Sequence, residues 1–225
     1  MKVEILQYTK NPLTVIGTNA SYCYNTKLKD DGHARRIAEH CLKSGHGRNL
    51  EFADITFKVT ASARMIRELY THIGGSPTRV QASTRYITYN DFAYVLPIGL
   101  NEEQEQIYKS TMKSIQNGYN QLKELGCKND ITGYILPLAM ESTCIVKMNA
   151  RTLENMFNQR LCNRALLEFK SIMGALRQKI KALDEEWCWI ADKLFVSKCI
   201  KQGGCFEEYP CQLVKNGTVK HLFIK

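Results

Sequence analysis

Apolar and polar residues alternate in three stretches of the chain and recur at helical spacing in four others. "MKVEILQYT" from Met1, "LEFADITFKVTA" from Leu50 and "ESTCIVKMNA" from Glu141 alternate, and each predicts a strand. "HARRIAEHCLKSG" sets Ile37, Ala38, Cys41 and Leu42 on one helical face and ends at Gly45, a natural helix stop. "ASARMIRELYTH" reads as a helix that Gly74 and Gly75 terminate. "NEEQEQIYKSTMKSIQNGYNQLKELG" opens on acidic residues, which suit a helix N-terminus, and closes on a glycine. It places Ile107, Met112, Ile115, Tyr119 and Leu122 on one face. From Thr152 to Leu183 the spacing is again helical, with a break near Cys162. Few strands interleaved with long helices predict an α+β fold. We expect one domain over residues 1–225, with a cysteine-containing tail from about residue 188.

Composition narrows the class. Forty-four per cent of the 225 residues are apolar, enough to build a core. No stretch approaches the roughly 18 apolar residues of a membrane span, and no charged leader with an apolar centre precedes a cleavage site. The cysteine count, nine, is odd, which points to reduced thiols and a cytoplasmic protein. Cys199, Cys205 and Cys211 follow a C-x5-C-x5-C spacing, unlike the two-to-four-residue spacing of zinc ligands, so no metal is expected. A net charge of +9 favours an anionic partner. The absence of a Lys/Arg-rich run argues against a nucleic-acid tail.

Candidate chemistry gathers in "THIGGSPTRVQASTRYITY" from Thr71. Gly74 and Gly75 would let an anion approach main-chain amides. Arg79 and Arg85 offer forked donors suited to phosphate, and Ser83 adds a hydroxyl. Tyr86 and Tyr89 would either stack on a base or fill space. The stretch is neither a P-loop nor a dinucleotide fingerprint. Taken alone, it is equally a polar surface loop after a helix.

The same stretch resembles the signature of the flavin-dependent thymidylate synthases, an arginine-flanked histidine followed by S-x-R. His72, Ser83 and Arg85 match it, whereas Thr71 and Ile73 replace the flanking arginines and the stretch is two residues longer. Three further segments are similar to family elements in the same order. "SGHGRNLEFADITFKV" carries His46 and Glu51, "YILPLAM" matches a V-L-P element, and "MNARTLENMFNQRLCNRALLEF" carries Asn149, Arg151, Asn155, Arg160 and Arg164. The matches span most of residues 1 to 211.

The resemblance implies an α+β protomer in a homotetramer with active sites between subunits. It implies FAD as cofactor, NADPH as reductant, methylenetetrahydrofolate as carbon donor and a pyrimidine deoxynucleotide as acceptor at C5. Arg160 matches the arginine on the pyrimidine ring and is the catalytic candidate. Glu68, Gln81, Ser83 and Arg85 are carried to the nucleotide. His46, His72, Arg79, Asn149, Arg151 and Asn155 are carried to the flavin. Each has a plainer role to weigh: Asn149 as an N-cap, Arg160 as an ion-pair partner, and His46, His72 and Glu51 as structural residues.

There are departures from the family pattern. Gly133 stands where a phosphate-binding arginine is usual, Glu68 stands for a glutamine, and Leu166 and Leu167 replace part of an A-Q-W-E element. Arg79 is a candidate substitute for a lost arginine. The main expectation is conversion of dUMP to dTMP. The alternatives are hydroxymethylation of dCMP or dUMP, and a non-catalytic nucleotide- or nucleic-acid-binding protein.

Overall fold

The computed structural model describes residues 2–72 and 78–223. In chain order these form β1 (Lys2–Tyr8), α1 (Pro12–Ser21), α2 (Asp31–Lys43), β2 (Asp54–Ser62), α3 (Ala63–Leu69), β3 (Thr78–Gln81), α4 (Glu102–Glu124), α5 (Asn129–Thr132), β4 (Glu141–Asn149), α6 (Ala150–Arg160), α7 (Leu167–Lys181), α8 (Glu185–Lys193), α9 (Lys198–Lys201) and α10 (Gln212–Lys215). The strands order as β1-β2-β4-β3. The expected α+β class is what the structure has. Among the described residues no helix is long and apolar enough to cross a membrane, and all nine cysteines are free thiols. No group of three or more metal-ligating side chains is found among the described residues.

The chain divides into two compact units. The first comprises Lys58–Thr71 and Arg79–Ile145, with Lys2. Its long helix α4 begins at a capping box: Asn101 accepts from the Gln104 amide, and the Gln104 side chain accepts from the Asn101 amide. Both acceptors satisfy amides that a helix start leaves orphaned. Met112 of α4 packs with Phe92 and Met140, ringed by Tyr89, Tyr94 and Tyr108. The buried Gln116 completes the attachment of the loop before α4, donating to the Asn90 carbonyl and accepting from the Phe92 amide at 2.8 Å. Tyr119, also buried, accepts from the Tyr89 amide. A loop that sequence patterning leaves blank is thus stitched to a rigid helix. Of the face expected on α4, Met112 and Tyr119 are buried, but Ile107 is 60% exposed. It lies within two turns of the helix start, and the Phe92 cluster begins only at Tyr108 and Met112.

The second unit comprises Val3–Phe57, His72 with Thr78, and residues 146–223. Here α1 and α2 cross at Gly17, whose Cα faces the Ala34 carbonyl so closely that a Cβ would lie 1.7 Å from its oxygen. A second cluster surrounds α6, α7 and α8. Phe157 stacks on Phe195 at 4.6 Å, and the fully buried Trp187 donates its indole N–H to the Thr9 carbonyl at 2.8 Å. Arg177 gathers the carbonyls of Ala191 and Phe195, which closes the end of α8. Residues beyond α8 fold back as α9, α10 and a short bridge of Cys205 with His221.

One expectation needs correction, and two elements arise where the sequence pattern announces none. "LEFADITFKVTA" does not begin as a strand: residues 47–52 form a 3-10 turn with Leu50 buried, and β2 starts at Asp54. The segment at α1 carries no strong helix pattern, with β-branched Val15 and Ile16 and a glycine; its helicity comes from packing on α2. β3 pairs with β4 without an alternating pattern to announce it. The stop expected at Gly74 and Gly75, and the departure at Ile73, lie outside the described residues.

Candidate functional site

The first unit holds the stretch expected to grip a nucleotide. β3 carries Arg79 and Gln81. The Arg79 guanidinium sits 4.1 Å from the Tyr70 ring centre, a cation–π contact. Tyr70 donates its hydroxyl to Gln81 Oε1 at 2.5 Å, and Gln81 Nε2 donates to Ser142 Oγ at 3.1 Å. Both ends of the Gln81 amide are therefore engaged in pinning β3 to its neighbours. Burial, then the neighbouring Cys144, pushes the Tyr70 phenol up to about 12, so it stays a donor.

After β3 the chain turns at Ser83, whose Oγ accepts from the amides of Arg85 at 3.1 Å and Tyr86 at 3.3 Å. The turn aims Arg85 outward, where its Nε donates to Asp130 Oδ1 at 2.7 Å. That hydrogen bond, then the guanidinium charge, holds the Asp130 carboxyl below its usual range. Arg85, Asp130, Thr84 and Gly133 line one open pocket of about 400 Å³. Gly133, the position that lacks the family's arginine, thus opens onto the same space as Arg85. The two tyrosines part ways: Tyr86 is 83% exposed, whereas Tyr89 is half-buried and reaches the Ser83 carbonyl. Glu68 sits half-buried on α3, and its backbone carbonyl accepts from the Thr71 amide and hydroxyl.

The second unit holds the residues carried to the flavin except Arg79, which lies on β3 in the first, and α6 with its cap supplies three of them. Asn149 caps this helix, its Oδ1 accepting from the Thr152 amide at 2.9 Å. Arg151 and Asn155 follow on the exposed side, one turn apart. Arg151 Nη1 donates to Glu51 Oε1 at 2.5 Å. Glu51, Arg151, Thr152, Glu154, Asn155, Asn158 and Lys201 line an open polar pocket of about 520 Å³. His46 does not line it; it stands exposed where the chain leaves α2.

Arg160, at the other end of α6, has a different setting. Its Nε donates to His72 Nε2 at 2.8 Å, and its guanidinium carbon lies 4.8 Å from the Phe169 ring centre. His72 is 3% exposed and meets the same ring edge-on. Burial first, and then the Arg160 charge, lowers His72 to about 4. The imidazole is therefore neutral near pH 7, with Nε2 an acceptor and the proton on Nδ1. Arg160 also lines a cavity of about 350 Å³ with Arg164, Cys162 and residues beyond α8. Phe169 and Asp130 were invisible to sequence reasoning, because neither adjoins in sequence the residue it holds.

The His72 environment has a measurable consequence. In the unfolded chain the imidazole titrates near 6.5; in the fold it stays neutral down to about 4. Between those values the unfolded state binds a proton that the folded state refuses, so stability falls as pH drops and levels off below about 4. The largest loss is about 3 kcal/mol. Urea midpoints measured from pH 7 to pH 4 should show this fall in the parent and a shallower one in His72→Gln. Parallel profiles would show that His72 does not titrate in this way.

Comparison with known proteins adds to the geometry. Residues 4–184 match the family described as Thymidylate synthase complementing protein, Thy1. The chain belongs to the Thy1 family. A flavin-dependent thymidylate synthase of Geobacter sulfurreducens is 28% identical over 195 residues, covering 81% of this chain and 83% of that protein. One from Thermococcus kodakarensis is 28% identical over 221 residues, covering 92% and 89%. Among solved structures, thymidylate synthase X (ThyX) of Helicobacter pylori, determined with FAD and dUMP, superposes with a TM-score of 0.71 at 21% identity. That alignment covers 87% of this chain and 99% of that one, so the two share a fold.

Proposed function

We infer that this chain is a flavin-dependent thymidylate synthase, which moves a one-carbon unit from methylenetetrahydrofolate to C5 of dUMP with FAD as cofactor and NADPH as reductant. The observation that carries the reading is the family match over residues 4–184. The named relatives share that activity in their descriptions, which favours dUMP over the hydroxymethylase alternatives.

The donor set suits the ligands. Arg151, at the start of α6, presents a guanidinium, and Asn155, one turn on, an amide, chemistry that fits the phosphate and polyol parts of a flavin dinucleotide. The flavin, when bound, supplies the reducing equivalents that complete the methyl group. Arg85 shares a pocket with Gly133, so an incoming phosphate would compete with Asp130 for its guanidinium. Making pyrimidine C5 nucleophilic builds negative charge on the ring oxygens. Arg160, held by a neutral imidazole and an aromatic face, is the preorganised cation for that charge. The neutral His72 matters here: a protonated ring could not accept from Arg160 and would repel it. We place the assembly as a homotetramer with active sites between subunits, in the cytoplasm, where its nine free thiols stay reduced.

The test is direct. The purified protein should take up FAD, turn yellow and sediment as a tetramer. Given NADPH and methylenetetrahydrofolate, it should convert dUMP to a product with the mass of dTMP. A flavin-free monomer would remove the reading. A hydroxymethyl product, or a preference for dCMP, would move it to the alternative.

A further inference from the structure

The pocket beside Arg151 contains one residue from outside the segment that defines the family. Lys201 is the last residue of α9, well beyond the matched residues 4–184. It crosses to α6 and pairs with Glu154. The Glu154 side chain is 12% exposed, against 41% for Lys201. A carboxylate so placed keeps little of its hydration, and a cation beside it offsets the loss.

The charges around this pocket give the pair its meaning. Four ionisable side chains line it, Glu51, Arg151, Glu154 and Lys201. Glu51 is paired with Arg151, and Glu154 with Lys201. The lining is therefore balanced with Lys201 in place and carries one excess negative charge without it. An anionic ligand beside Arg151 would then face an uncompensated carboxylate one helical turn from Arg151, on the same helix.

We propose that Lys201 is a positioning residue of the cofactor site: the C-terminal segment supplies the cation that neutralises Glu154 and so lets the pocket accept the pyrophosphate of FAD. The inference rests on the assignment of Arg151 and Asn155 to the flavin. It assigns to α9 a part in cofactor affinity that the family match, ending at residue 184, does not cover. Lys201 acts through Glu154, so its effect should vanish when Glu154 no longer carries charge.

FAD affinity of the full-length protein tests this, measured by quenching of flavin fluorescence, with thermal melts as a check on folding. Lys201→Met should weaken FAD binding roughly tenfold, the size expected of one uncompensated charge across a partly screened pocket. Lys201→Arg should bind like the parent. Adding Glu154→Gln to Lys201→Met should restore affinity, and the Lys201→Met defect should shrink as salt rises from 50 to 500 mM, values chosen to span roughly a 14 to 4 Å screening length. A purely structural role for Lys201 would instead lower the melting temperature, with no recovery in the double variant. Arg151→Ala separates the inference from the reading beneath it. If Arg151→Ala weakens FAD and Lys201→Met does not, Lys201 has no part in the site. If neither weakens FAD, or the parent binds none, the flavin assignment of this pocket falls and the inference falls with it.

Discussion

Arg160→Ala is expected to lower turnover about 10²–10³-fold, the usual loss when one preorganised donor to a developing oxyanion is removed. The flavin spectrum should be unchanged, because Arg160 lines a different cavity from Arg151 and Asn155. Arg160 also contacts His72 and Phe169, so a purely structural loss must be distinguished. Arg160→Lys keeps the charge but loses the planar fork that donates to His72 Nε2 while lying on Phe169. If preorganisation matters, Arg160→Lys recovers only a small part of the rate while FAD affinity and melting temperature stay near those of the parent. If Arg160 serves packing alone, turnover in both variants tracks the melting temperature. Near-parental turnover in Arg160→Ala would take Arg160 out of the chemistry.

Gly17→Ala is expected to destabilise the protein by about 3 kcal/mol or more, at the upper end of overpacking effects. The added Cβ would lie 1.7 Å from the Ala34 oxygen and 2.4 Å from its carbonyl carbon. Both atoms are backbone of α2, so no side chain can swing aside, and the helices must separate. Gly174→Ala, in the interior of α7, meets nothing within 4 Å. There alanine should stabilise by about 0.5–1 kcal/mol, because glycine gives up more backbone entropy in a helix. Urea midpoints of the two variants should therefore move in opposite directions. Equal small shifts would show that α1 and α2 do not pack at Gly17.

Much of the candidate site was legible because family motifs are local strings. "NARTLEN" places Asn149, Arg151 and Asn155 within two helical turns, and the structure puts Arg151 and Asn155 on one pocket. Asn149 caps the helix through its Oδ1. Gln81 likewise has its amide committed, to Tyr70 and Ser142. No sequence pattern foretells such commitments, since they depend on which side chain arrives from elsewhere. The same holds for His72 and Arg160, which are 88 positions apart in sequence and hydrogen-bonded at 2.8 Å nitrogen to nitrogen.

For the fold, local patterning sufficed wherever a helix or strand presents a face of regular period. β1, α2, α4, β4 and the α6–α7 pair all follow from periodicity and end signals. α1 and β3 do not: one is a poor helix former packed against α2, and the other is a four-residue strand exposed along its length. The return of residues 196–223 as α9, α10 and a two-residue bridge is equally unannounced. These elements are shorter than the windows in which periodicity can be read, and their backbone hydrogen bonds and packing come from distant partners. Sequence alone therefore determined the family, the long elements and the roster of candidate residues. Tertiary structure decided which partners those residues meet, because a side chain's partners are set by three-dimensional proximity and not by its neighbours along the chain.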